Sequence, residues 1–175
     1  GTGNITATGT AGGSPINFTT NSINHTGTLT NVGTNTAGIV TISATIGTNV
    51  TGIIQNGIAP MVLSGVNTAT PVTVTSGTLT VAASGTVDAP VTINGGTLSV
   101  VGIVNGTSTV NSGDLVVTSA GTAGAVTVSG GTTNGTGTIA GTVSVNSGSV
   151  NPGDLVNGGS SFGTLTVAND VTYST

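Results

Sequence analysis

Aliphatic and polar residues alternate along much of this chain, and the alternation restarts at a nearly fixed interval. Val72 and Val74, then Leu79 and Val81, take every second position on either side of Gly77. A period of two puts successive side chains on opposite faces of an extended strand, so each run predicts a half-buried strand. The phrase returns around Gly96, Gly113, Gly131 and Gly148, at steps of 19, 17, 18 and 17 residues. Three positions before each glycine stands an aliphatic residue (Val74, Ile93, Val110, Val128, Val145), and two before it a polar one (Thr75, Asn94, Asn111, Ser129, Asn146). Two positions after come Leu79, Leu98, Leu115, Thr133 and Val150.

A fixed period of this kind marks a solenoid. The unit is too short for a helical-hairpin repeat or a propeller blade. At ~3.3 Å per residue, about eighteen residues extend near 60 Å, one circuit of a narrow three-sided coil. The pattern therefore predicts an all-β parallel β-helix with 17–19 residues per coil. About ten coils would stack at ~4.8 Å, each strand pairing with its equivalents above and below. Gly, Asn and Ser are expected at the corners, aliphatic rows inside, and threonine and serine outside. Asn94, Asn111 and Asn146 should form an amide ladder up one corner. A β-sandwich also uses short strands, but it has no need of equivalent glycines at a constant period.

The phase is weaker near the start. Residues 1–175 read as one solenoid domain, with 1–60 as less regular coils and 61–175 as the regular repeats. "GTLT" at 27–30 repeats the "GTLT" of 77–80, and "IVTISATI" at 39–46 alternates cleanly, while "GSPINFTTNSINHTG" and "TGIIQNGIAPM" look like coils with longer corners.

Composition narrows the partners. Lys and Arg are absent, Asp and Glu total 4, and the net charge is −4. A chain without cations cannot neutralise phosphates, which excludes nucleic acid and argues against anionic membrane surfaces. It also offers trypsin no cleavage site. No apolar run approaches the ~20 residues of a membrane-spanning helix, so no membrane insertion of this segment is expected. There is no cysteine, hence no disulfide or thiolate metal site. Gly- and Ser-rich chains are often disordered, but this one is crowded with β-branched strand formers.

Residues 39–81 carry a recognisable string, "IVTISATIGTNVTGIIQNGIAPMVLSGVNTATPVTVTSGTLTV". It resembles the passenger-associated repeat of bacterial autotransporters at Leu63, Gly65, Asn67, Thr68, Thr73, Val74, Gly77, Thr78, Leu79 and Val81. Ala69 stands where the repeat has tyrosine, and Pro71 where it has glycine. The stretch holding Pro152, Gly153, Gly163, Thr164 and Leu165 is similar to the segment such passengers carry before their C-terminal region. The resemblance implies a right-handed winding and an extracellular place, on or released from an outer membrane, as part of a longer precursor. It implies a non-catalytic adhesin, stalk or fibre. Its partners would be further copies of itself, end to end or laterally, or a glycan or protein on a host surface. "GTGNITATGT" and "TLTVANDVTYST" both read as strands able to accept another, with no capping helix, lysine or proline guard.

Catalysis is tested against the four aspartates, Asp88, Asp114, Asp154 and Asp170. Paired carboxylates could cleave a polysaccharide if about 5–9.5 Å apart. In coil phase Asp88 and Asp114 belong to different faces, while Asp114 and Asp154 sit in "SGDL" and "PGDL", ordinary turn settings. His25 is the only histidine and reads as an exposed corner residue, with no neighbours to make a zinc site. No catalytic, metal or cofactor residue is assigned. Asn24-His25-Thr26, Asn105-Gly106-Thr107 and Asn134-Gly135-Thr136 are glycosylation sequons that read as surface-compatible. Ice binding is the sharpest alternative. The outward pairs after the glycines run Thr78/Thr80, Thr97/Ser99, Asp114/Val116, Thr132/Asn134, Ser149/Asn151 and Thr164/Thr166, a rank that begins well and decays.

Overall fold

A computed structural model describes residues 1–9, 14–19, 21–68, 70–153 and 162–174. Every strand pairing in it is parallel, and each joins a residue to its counterpart one lap away. The chain is an all-β solenoid. Each lap lays down strands on three faces. The first face stacks Ile5–Ala7, Gly27–Asn31, Val50–Asn56, Val72–Ser76, Val91–Ile93, Ser108–Val110, then the leading parts of Val126–Gly135 and Val143–Pro152, and finally Val171–Tyr173. The second face runs from Ile16–Phe18 through Thr78–Val81 and Thr97–Val100 to the trailing parts of Val126–Gly135 and Val143–Pro152. The third is a narrower sheet from Val66–Asn67 to Thr166–Val167, extended downward by bridges at Ile46 and Ile23.

The expected phase holds. Val74, Ile93, Val110, Val128 and Val145 are in register on the first face, and Leu79, Leu98, Leu115, Thr133 and Val150 on the second. These aliphatic files point inward and leave no accessible surface at Val74, Ile93, Leu79, Leu98 or Leu115. Burial of each such side chain contributes about 1.5–3 kcal/mol, the main stabilising term in a molecule this poor in aromatics. From Ile53 to Val143 the steps along the first face (Ile53, Val72, Val91, Ser108, Val126, Val143) are 19, 19, 17, 18 and 17 residues. Nine strands fill that face where about ten were expected. The shortfall has a direct cause, since the first two laps (Ile5 to Leu29 to Ile53) take 24 residues each and the last (Val143 to Val171) takes 28.

Gly57, Gly77, Gly96, Gly113, Gly131 and Gly148 stand in one vertical file. A Cβ on any of the last five would strike the carbonyl oxygen of the glycine below. Four of them also hold positive φ: Gly77 (+67°), Gly96 (+67°), Gly113 (+77°) and Gly148 (+89°). The file is the corner between the first and second faces. A second corner, between the second and third faces, escaped the sequence reading: Gly65, Gly85, Gly102, Gly121 and Gly137. There the carbonyls of Gly65, Gly85, Gly102 and Gly121 accept from Thr86, Ile103, Thr122 and Thr138 one lap on.

One repeat was misleading. "GTLT" at 27–30 lies on the first face, where Leu29 pairs with Ile5 and Ile53, whereas "GTLT" at 77–80 serves the second face. The early laps also bury amides. Asn31 and Gln55 point inward with no accessible surface. Asn31 Nδ2 donates to Gln55 Oε1 (2.8 Å) and to the Ala59 carbonyl (2.7 Å), and Gln55 Nε2 donates to the Gly57 (2.6 Å) and Ala59 (2.9 Å) carbonyls.

Candidate functional site

Chemistry on a solenoid belongs to what projects outward from its flat faces and corners. The first face presents a continuous outward file of Thr6, Thr30, Ile54, Thr73, Thr92, Thr109, Thr127, Ser144 and Thr172. Each member sits between two buried neighbours of its own strand, so the pleat alone turns it toward solvent. The sequence reading looked for a hydroxyl rank only after the glycines, on the second face. There Thr78, Thr97, Asp114, Thr132 and Ser149 do stack, with Thr80, Ser99, Val116, Asn134 and Asn151 beside them. The sixth pair does not continue that rank, because Thr166 is on the third face beside Thr138.

The corner amides form part of the expected ladder. Asn111 Nδ2 donates to Asn94 Oδ1 at 2.8 Å. Ser129 interrupts the series, and Asn146, displaced by a register shift, accepts instead from the Ser174 hydroxyl (3.1 Å).

The aspartates are dispersed. Asp88 follows the third-face strand Thr86–Val87 and accepts from Asn105 Nδ2 at 2.6 Å. Asp114 begins a second-face strand, between Thr97 and Thr132, rather than capping a turn as expected. Asp170 is exposed and precedes the last first-face strand. Asp154 lies outside the described residues, as does Ala69. Among the described residues no three His, Cys, Asp or Glu side chains gather as a metal site would require. His25 is half-buried rather than an exposed corner: its Nε2 lies 3.2 Å from the Thr28 carbonyl, and its Nδ1 is buried without a partner. Of the sequons, Asn24 and Asn105 are exposed, but Asn134 is only 3% accessible and cannot accept a glycan in this fold.

The surface departs from its own pattern at one place. On the second face the outward file is half-buried at Thr80 and Ser99, then becomes buried at Val116 and Asn134. Beside these two lies a cavity of about 130 Å³ walled by Val116, Thr118, Ser119, Gly135 and Thr136. Gly135 and Gly153 exchange both backbone hydrogen bonds there (2.9 and 2.8 Å) in an antiparallel bridge, as the chain leaves the coil at Gly153. Asn134 Oδ1 is buried with no hydrogen-bond partner. Comparison with known proteins adds no relative: no family model, no curated protein and no solved structure matches this chain.

Proposed function

We propose that this chain is a non-catalytic, extracellular structural or adhesive surface protein. It is a β-helical passenger rod, carried on or released from an outer membrane, that stacks end to end into a fibre or grips a host glycan or protein. The observation that carries the reading is the uninterrupted parallel ladder of the first face, with aliphatics inside and neutral hydroxyls outside over nine strands. Such a ladder builds a stiff quasi-one-dimensional body whose outer surface is repetitive and nearly free of charge. The passenger-type motif around Leu63–Val81 supplies the cellular setting. Edge strands such as Ile5–Ala7 and Val171–Tyr173 offer backbone groups to a further lap or a second copy. Electron microscopy and sedimentation across a concentration series test this reading. Rods that lengthen with concentration, or that adhere as single rods to a glycan- or protein-coated surface, support it. Short rods that neither lengthen nor adhere overturn it.

The first-face threonine file favours a second reading, an ice-binding solenoid. Equivalent hydroxyls and methyls recur there once per lap, at ~4.8 Å. Thermal hysteresis that disappears when Thr92 and Thr109 are changed to Tyr supports it, and growth of ice unaffected by the chain excludes it. A polysaccharide-cleaving enzyme is the third. It requires turnover that is lost when Asp114 and Asp154 are both changed to Asn.

A further inference from the structure

We propose that the cavity beside Asn134 seats a neutral sugar residue. The inference rests on the adhesive reading above and names its ligand class. Four observations meet at this spot. The outward file of the second face abandons its small hydroxyl residues at Val116 and Asn134, and only there is it buried, to 7% and 3% accessibility. Asn134 stacks directly on Val116, a cavity wall, and its two successors Gly135 and Thr136 are walls as well. Its Oδ1 is a buried acceptor with no donor, a costly state that a ligand hydroxyl would relieve. Finally, Gly163 is packed against the Thr136 side chain, which brings its neighbour Phe162, a fully exposed aromatic at 103%, next to the rim.

The wall chemistry selects the ligand. Thr118, Ser119 and Thr136 supply hydroxyls, and Val116 an apolar patch. The Thr118 hydroxyl donates to the Val100 carbonyl (3.1 Å), which leaves its oxygen free to accept. No wall residue is ionised, so an anion finds no countercharge and a hard cation no carboxylate. The volume, about 130 Å³, is that of about four waters at ~30 Å³ each, enough for the hydroxylated edge of one sugar ring. A neutral ring with hydroxyl donors on its edge and C–H groups on its face matches acceptors, apolar wall and adjacent aromatic together.

Amide-resolved NMR titration of the 175-residue chain with D-glucose, D-galactose and N-acetyl-D-glucosamine, each separately, tests the seat. Saturable shifts confined to Thr118, Ser119, Gly135 and Thr136 are expected with at least one sugar. Asn134→Leu should weaken that binding roughly tenfold or more. Phe162→Ala, at an exposed position that leaves folding intact, should weaken it severalfold. No saturable shift with any of the three sugars, or affinity unchanged in both variants, overturns the proposal. Rods that adhere or lengthen while these amides stay still would overturn the sugar seat and leave the adhesive reading standing. Sugar binding by rods that do neither would support the seat and remove that reading.

Discussion

Thr133 occupies an inward position between Leu115 below and Val150 above, and its hydroxyl is buried with no partner. Valine keeps the shape and removes the unmet hydroxyl. Thr133→Val is therefore expected to raise stability by about 1 kcal/mol or more, read as a higher urea midpoint at unchanged slope. Glycine gives the opposite lesson, because one substitution changes sign with position. Gly96→Ala must place a Cβ at φ +67° against the Gly77 carbonyl oxygen, and should cost about 1–3 kcal/mol. Gly52 has no positive φ, and its Cβ would meet only the Thr28 methyl at 3.7 Å. Gly52→Ala should gain about 0.4–1 kcal/mol by restricting the unfolded chain. Thermal unfolding of the two alanine variants side by side checks both signs.

At the scale of strands and laps, the buried amides of Asn31 and Gln55 join two successive laps of the first face. Removing one partner leaves the other's polar atoms stranded in the core. Asn31→Leu alone should cost about 2–3 kcal/mol, and the Asn31→Leu/Gln55→Leu pair less than the sum of the single variants, measured by a double-mutant cycle. The same laps show where sequence reading stopped. From Val72 onward, Gly77, Gly96 and Gly113 recur at lap spacing because no other residue fits the corner, so period and phase were visible. In the first laps the inward positions hold Asn31 and Gln55, and polar residues at core positions break the alternation that marks a face. The tetrapeptide at 27–30 then suggested the wrong face, since four residues specify a strand but not its neighbours. The cavity was hidden for a related reason: Asn134-Gly135-Thr136 has the form of a surface sequon, and only the antiparallel bridge from Gly135 to Gly153 encloses it. The dispersal of Asp88 and Asp114 over different faces, by contrast, followed from coil phase alone.

At the scale of the molecule, every strand pairing runs between neighbouring laps, so stability accumulates lap by lap rather than around one central core. Nine strands at ~4.8 Å give the first face a height of about 38 Å. With no Lys or Arg to guard an edge, cohesion and association both fall to backbone ladders and neutral side chains. The account stands or falls on that winding, and paired cysteines test it most directly in a chain that has none of its own. Thr92 and Thr109 are outward-facing register partners on adjacent laps, whereas Thr127 is one lap further from Thr92. Disulfides need Cα atoms about 4.4–6.8 Å apart, which one lap satisfies and two laps, ~9.6 Å, do not. Mild oxidation should close Thr92→Cys/Thr109→Cys within a single chain and leave Thr92→Cys/Thr127→Cys open; closure of the second pair with the first left open would contradict the stacked coil.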